Sequence, residues 1–181
     1  MEEQFINYCI NGNLDGIKKI IKTHKINIHA NNESGFRWAC ENGYLHIVEY
    51  LINLYKINSD YNIINIHVYN ELGFIWACCN GHLHIVEYLI NLYKNNSNYE
   101  KLDVHANSEG GFRNACYNGQ LHIIKYLINL HKQNANYMKI NIHAINEEGF
   151  RGACDSGYLL IVEYLINLGC YMHNYNNIIL L

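Results

Sequence analysis

The stretch GFRWACENGYLHIVEYLINL, from Gly35 to Leu54, returns as GFIWACCNGHLHIVEYLINL from Gly73, GFRNACYNGQLHIIKYLINL from Gly111 and GFRGACDSGYLLIVEYLINL from Gly149. The phenylalanines near the start of these copies, Phe36, Phe74, Phe112 and Phe150, are evenly spaced along the chain. A divergent copy, FINYCINGNLDGIKKIIK, begins at Phe5, a slightly shorter step before Phe36. Repetition at this period constrains the fold more than any other feature of the chain. Each unit is one supersecondary element that cannot bury its apolar face alone, so stability requires neighbouring units to stack. Any function has to be read from an array.

Each unit spells two short helices. Phe36, Ala39, Cys40 and Gly43 fall at i, i+3, i+4 and i+7, one face of a first helix, and Leu45, Val48, Leu51 and Ile52 outline a second. Asn32, Asn70, Ser108 and Asn146 form a column able to accept a hydrogen bond from a first-turn amide, which predicts the helix start there. Asn11-Gly12, Asn42-Gly43, Asn80-Gly81, Asn118-Gly119 and Ser156-Gly157 place glycine where a left-handed residue ends the helix. NIHANNES and its relatives, which carry no helical stripe, predict an extended loop between units.

Helix, tight turn, helix and protruding loop, with an A-x-x-G junction and a leucine-rich second helix, resembles the ankyrin repeat over nearly the whole chain. Phe36 stands at the Leu of the T-P-L-H-x-A-A motif, Ala39 and Cys40 at its Ala pair, Gly43 and Tyr44 at the Gly-His of the turn, and Asp103-Val104-His105-Ala106 at the start of the finger. Thr-Pro is replaced by pairs such as Ser34-Gly35 and Leu72-Gly73, and the motif's His by Arg37, Ile75, Arg113 or Arg151, so the Thr to His hydrogen bond of the family cannot form. The wording G-F-R-W-A-C-E-N-G is also similar to ankyrin proteins of giant amoeba-infecting DNA viruses of the mimivirus type. The resemblance implies an all-α, ankyrin-type helical solenoid of about five helix-turn-helix repeats with finger loops. The repeats would span approximately 1-31, 32-69, 70-107, 108-145 and 146-174 of a single domain 1-181, with a truncated sixth start at 175-181.

Composition and side-chain chemistry exclude several function classes. A net charge of -3 leaves no basic field for nucleic acid. The acidic start MEEQFINYCING reads as no secretory leader, and no apolar run approaches membrane-spanning length, so a cytoplasmic location is expected. Of seven cysteines, Cys9, Cys40, Cys78, Cys116 and Cys154 share one core column, and no C-x-x-C pair exists. His29, His67, His105, His143 and His173 form a column expected to hydrogen-bond between successive fingers, since copies on neighbouring units are too far apart to share a metal. His46, His84 and His122 read as a solvated face. Glu33, Glu71, Glu109 and Glu147 lie four residues before Arg37, Ile75, Arg113 and Arg151, an order that supports a helix. Nothing in the sequence breaks the repeat as a single active site would, so no catalytic residue, cofactor or metal is expected.

Ends and insertions vary more. Lys19, with Lys18 and Lys22, replaces the column Tyr50, Tyr88, Tyr126 and Tyr164 and reads as a polar cap. At the other end Ile178, Ile179, Leu180 and Leu181 are expected to fold back over unit five, or to mediate end-to-end association of what is otherwise a monomer. Units two to four carry YKINSDYNII, YKNNSNYEKL and HKQNANYMKI, with Tyr61, Tyr99 and Tyr137 in register. These insertions either lengthen the second helix and stack as an outer ridge, or offer a second contact surface with exposed tyrosines.

Residues that hold a stack can repeat, whereas residues that meet a partner are free to differ. The columns Ser34/Leu72/Gly110/Glu148, Trp38/Trp76/Asn114/Gly152, Glu41/Cys79/Tyr117/Asp155 and Tyr44/His82/Gln120/Tyr158 differ most, and their offsets place them on one stripe. In ankyrin proteins the corresponding stripe and the finger tips line the concave groove that binds partners. The candidate contact residues are therefore Trp38, Glu41, Tyr44, Trp76, Cys79, His82, Asn114, Tyr117, Gln120, Asp155 and Tyr158. Trp38 and Trp76 either form an aromatic anchor of the kind found in binding hot spots or pack against the neighbouring finger. The resemblance implies a non-enzymatic protein that binds another protein. An adaptor to ubiquitin machinery and a structural virion component are the alternatives.

Overall fold

The computed structural model describes residues 1–171. Within them ten helices follow one another and no strand occurs: α1 (Glu2–Ile10), α2 (Leu14–Thr23), α3 (Ala30–Glu41), α4 (Leu45–Ile57), α5 (Val68–Cys79), α6 (Leu83–Asn95), α7 (Ala106–Tyr117), α8 (Leu121–Gln133), α9 (Ala144–Asp155) and α10 (Leu159–Ile166). They form five helix pairs of an all-α helical solenoid. The expectations placed on Ile178 to Leu181 lie outside the described residues.

The first helices α1, α3, α5, α7 and α9 pack in succession along the array, more closely than the second helices do. The glycine before each phenylalanine explains the close approach. A methyl group added at Gly35 would lie 2.7 Å from Cε1 of Phe5, and at Gly73, Gly111 and Gly149 it would lie 2.9, 2.8 and 3.0 Å from Cε1 of Phe36, Phe74 and Phe112. Each ring therefore rests across the glycine of the following unit. Cys9, Cys40, Cys78 and Cys116 are buried beside these contacts and Cys154 partly so, in keeping with a packing column. Burial alone pushes the Cys9 thiol up to about 12, so it remains protonated and inert. On the second helices Val48, Leu51 and Ile52 are buried as the stripe predicts, joined by Ile47 and Leu54, while Leu45 is only partly covered. At the intervening turn Gly43 adopts φ 78°, and the N–H of Tyr44 closes back on the carbonyl of Ala39 at 2.9 Å.

The segment before each first helix differs from its expected form. Asn31, Asn32 and Glu33 take φ values of 53°, 54° and 59°, and the equivalent residues of the next three units do the same. The connection is thus a compact left-handed turn, closed by Ala30 N–H to Asn27 O at 3.2 Å and Glu33 N–H to His29 O at 3.3 Å, and not an extended loop. Left-handed backbone costs non-glycine residues about 1–2 kcal/mol each, so the turn needs support. Arg37 supplies it, donating from Nε to the carbonyl of Asn32 and from Nη2 to that of Asn31, both at 2.9 Å. Arg113 repeats the arrangement on Ser108 and Asn107, and Arg151 reaches Ile145. The Asn32 column is therefore part of the turn, not the helix cap. The Asn32 side chain instead donates to the hydroxyl of Tyr69 in the next unit at 2.5 Å.

With the arginines committed to these carbonyls, the expected Glu to Arg pairs do not form. Glu33, Glu71, Glu109 and Glu147 are buried, and each takes a hydrogen bond from the histidine four residues earlier: His29, His67, His105 and His143 Nδ1 lie 2.8, 2.7, 2.9 and 2.6 Å from the carboxylates. The described histidines of this column thus bond within their own unit, not from finger to finger. The carboxylate makes the crossing: Glu33, Glu71 and Glu109 Oε1 accept the backbone N–H of Asn65, Asp103 and Asn141 of the following units at 3.1, 3.3 and 3.0 Å.

The insertions lengthen α4, α6 and α8 to 13 residues, against 10 in α2 and 8 in α10. The stacked ridge is the correct reading, and the exposed-tyrosine surface is not. Tyr61, Tyr99 and Tyr137 are buried, and the hydroxyls of Tyr99 and Tyr137 donate to the carbonyls of Ile52 and Ile90 in the preceding unit at 3.1 and 3.0 Å. Tyr55 and Tyr93 extend the ridge by hydrogen-bonding Asn98 and Asn136 of the next insertion at 2.9 and 3.0 Å.

Candidate functional site

The variable stripe lies on the turn side of the first helices, and the structure divides its residues into two groups. Trp38 on α3 and Trp76 on α5 are half-buried neighbours with ring centroids 5.7 Å apart and planes inclined by 39°. The guanidinium carbon of Arg37, fixed by its two bonds to the turn, lies 5.5 Å from the Trp76 ring and 5.1 Å from the ring of Tyr69. Tyr69 sits in the left-handed turn and is 56% exposed. Two indoles, a guanidinium and a phenol therefore form one continuous patch. Ring faces carry negative charge density, which favours a cation between them. Sequence reasoning missed Arg37 and Tyr69 as members. The available signal was the departure of Tyr69 from Asn31 and Asn107 in its column.

Further along the stripe, side chains are engaged between units. Tyr117 lies over Gly152, where an added methyl group would stand 2.8 Å from three of its ring carbons, and the Tyr117 carbonyl accepts from the Ser156 hydroxyl at 3.2 Å. Asn114 donates to its own helix at Gly110 O, 2.8 Å away. Cys79 Sγ accepts from Asn118 at 3.2 Å, and burial raises its thiol above the ordinary value, with the Glu41 carboxylate adding to the rise. Glu41 itself is pushed up by burial, against the opposing pull of Arg37. Glu148 is ion-paired to Arg113, and Asp155 is exposed.

The Tyr44, His82, Gln120 and Tyr158 column does structural work. These side chains cover the turn glycines Gly12, Gly43, Gly81 and Gly119 of the preceding units, so closely that no Cβ would fit there. Tyr44, His82 and Gln120 are half-buried, whereas Tyr158 is exposed. His82 adds a hydrogen bond from Nε2 to the Glu41 carbonyl at 2.9 Å. His46, His84 and His122 are exposed as expected, yet they are not merely solvated, because their Nε2 atoms lie 3.4, 3.1 and 2.9 Å from the carbonyls of the same turn glycines Gly12, Gly43 and Gly81.

Outside the stripe, a cleft of about 330 Å³ lined by Lys22, His24, Asp60 and Tyr61 opens where the insertion of unit two overhangs unit one, which has none. Among the described residues, His143, Glu147 and Cys170 are a group whose ligand atoms could converge on a metal, and no helix is long and apolar enough to cross a membrane.

The family model described as Ankyrin repeats (3 copies) matches residues 5–103 and again residues 74–177. No curated protein matches the chain.

Proposed function

The chain belongs to the ankyrin-repeat family, whose repeats generally mediate protein–protein interaction, and from that premise we propose that it is a non-enzymatic binding protein that engages its partner through the first-helix and finger surface, at the concave groove of the array. The observation that carries this reading is the Trp38, Trp76, Arg37 and Tyr69 patch. Tryptophan, tyrosine and arginine are the side chains most enriched in binding hot spots, because each combines a large contact area with a polar or charged edge. Here the guanidinium is held in place before binding, so little side-chain entropy remains to be lost on association. Tyr117, Asp155 and Tyr158 extend the contact surface toward the last unit. Tyr44, His82 and Gln120 enter it only by their exposed edges, since their other faces cover the turn glycines. The similarity of the unit's wording to giant-virus ankyrin proteins, and with it a host-cell cytoplasmic location, belongs to this proposal and rests on that wording.

The experiment is affinity capture with the intact chain and with the Trp38→Ala/Trp76→Ala variant, followed by mass spectrometry. Proteins retained by the first and lost by the second, with the helical circular dichroism unchanged, support the reading. An identical set from both sinks it. The two tryptophans of the chain both lie in the patch, so intrinsic fluorescence then reports binding of any captured protein directly.

A further inference from the structure

Four times along the array a histidine donates to a buried glutamate, and in three of those places the neighbouring residue from the following unit is aliphatic. Counting three residues back from each column histidine gives Ile26, Ile64, Leu102 and Ile140, all buried. Glu33, Glu71 and Glu109 bond the backbone beside the last three of these. At the fourth place the same column carries Cys170, also 2% exposed. The repeat is thus broken at one position, and the break replaces a hydrocarbon with a thiol against a His–Glu pair.

We propose that His143, Glu147 and Cys170 form a binding site for a divalent transition-metal ion of the zinc class. One nitrogen, one carboxylate oxygen and one sulfur lie within 4.8 Å of one another. Bonds of about 2.0–2.3 Å to a tetrahedral centre place such atoms roughly 3.2–3.8 Å apart, so side-chain rotation has to open the 2.6 Å contact between His143 Nδ1 and the Glu147 carboxylate while keeping the sulfur close. Glu147 Oε2 is buried and has no hydrogen-bond partner, in a residue only 3% exposed. Glu33 and Glu71 leave the same oxygen unpaired, but only Glu147 has a thiol at hand. Among the described histidines of its column His143 is the most exposed, its side chain 49% accessible against 25–33% for the other three. That opening gives an ion an entry path and leaves the fourth coordination position to water. A thiolate and an imidazole select zinc, cobalt or cadmium over magnesium and calcium, which prefer oxygen ligands. Binding requires Cys170 to release its thiol proton to solvent and His143 to carry its remaining proton on Nε2, so that Nδ1 exchanges the hydrogen bond to Glu147 for the metal. An ion held there would join the first turn of unit five to the chain that follows α10.

Cobalt(II) titration of the full chain tests the site. One cobalt per chain is expected, with a thiolate-to-cobalt charge-transfer band in the near ultraviolet, tetrahedral d–d bands in the visible, and displacement by zinc. Cys170→Ile places at this position the residue that unit four carries, Ile140, and so keeps the packing; it should abolish the charge-transfer band, while Cys79→Ser and Cys154→Ser, which remove the two half-exposed thiols, should leave it intact. Zinc should raise the melting temperature of the unaltered chain and not that of Cys170→Ile. Absence of a charge-transfer band in the unaltered chain, or its persistence in Cys170→Ile, overturns the proposal.

Discussion

The carboxylate of Glu33 accepts the backbone N–H of Asn65 at 3.1 Å, across 32 residues of sequence. The same carboxylate holds His29 of its own turn, so one buried side chain closes a left-handed loop and fastens it to the next unit. Because the arrangement recurs from Glu71 to Asp103 and from Glu109 to Asn141, each of these joints carries a polar latch beside its apolar contacts. Removing one latch should weaken a single joint. Glu71→Ala strands the Asp103 N–H and the His67 ring, and is expected to cost about 1–3 kcal/mol. Urea unfolding followed by circular dichroism measures the loss. A shift in midpoint with an unchanged slope is expected if the array still unfolds as one unit, and stability equal to that of the unaltered chain contradicts the latch.

The ridge tyrosines make a sharper comparison, because three copies of one residue differ in a single bond. Tyr99 and Tyr137 donate to carbonyls of the preceding unit. Tyr61 faces unit one, where it borders the open cleft and makes no such bond among the described residues. Tyr99→Phe and Tyr137→Phe should each cost about 0.5–1.5 kcal/mol, the net value of one hydrogen bond, and Tyr61→Phe should be close to neutral. Equal losses at all three positions would mean that the hydroxyl bonds carry no weight.

The helix faces were legible in the sequence because they depend on local periodicity: Phe36, Ala39 and Cys40, or Val48, Leu51 and Ile52, need only a helical repeat and a neighbour of the same kind. The left-handed turn was not legible. Asparagine is its one local signal, and the structure puts Tyr69, Ile145, Ser108 and four glutamates in the same conformation. In three of the four units it is held by arginines whose reach of five or six residues no propensity describes, whereas the unit with Tyr69 carries Ile75 at the arginine position. The His–Glu spacing of four was visible, but the two columns were read apart, since neither residue alone indicates burial. In the candidate surface the juxtaposition of Trp38 and Trp76 followed from the constant period. The seating of Tyr44 on Gly12 and of His82 on Gly43 did not, because each contact joins positions in different units that share no local pattern.

Ile145 tests how much strain the turn stores. It is a β-branched residue at φ 51°, 49% exposed, with its carbonyl engaged by Arg151. Left-handed backbone disfavours such a residue by about 1–2 kcal/mol and glycine hardly at all. Ile145→Gly should therefore raise the melting temperature, an unusual outcome for a substitution to glycine. A lower melting temperature would show that the exposed side chain contributes packing that outweighs the strain.

Glycine is required at Gly111 for the opposite reason, space. Alanine is favoured over glycine within a helix by about 1 kcal/mol, yet a methyl group here would stand 2.8 Å from Phe74 Cε1 and 3.2 Å from Cys78 Sγ, both buried. Neither neighbour can withdraw without opening the contact between α5 and α7. Overpacking of this kind costs about 1–3 kcal/mol, so Gly111→Ala should destabilise the chain, and a stabilised variant would show that the first helices have room to separate.

His82 links the array to pH. Burial holds its imidazole below the ordinary value of 6.5; the bond to the Glu41 carbonyl pulls it up and His84 pulls it further down. Above 6.5 both folded and unfolded chains hold a neutral ring, and the group adds no pH dependence. As pH falls below that value the unfolded chain takes up a proton that the folded chain resists, so the unfolded state binds more protons and stability declines. The decline continues until pH passes the depressed folded value, below which both states are charged and the difference is constant. His82→Gln, which copies Gln120 of unit four, should remove this part of the slope. Urea midpoints at about pH 7.5 and about pH 5.5 bracket the free-histidine value. The variant should lose less stability than the unaltered chain between them, and other acid-sensitive groups cancel in the comparison. Equal losses would mean that the ring over Gly43 gains its proton as readily folded as unfolded, and that the cover it forms on the turn is open to water.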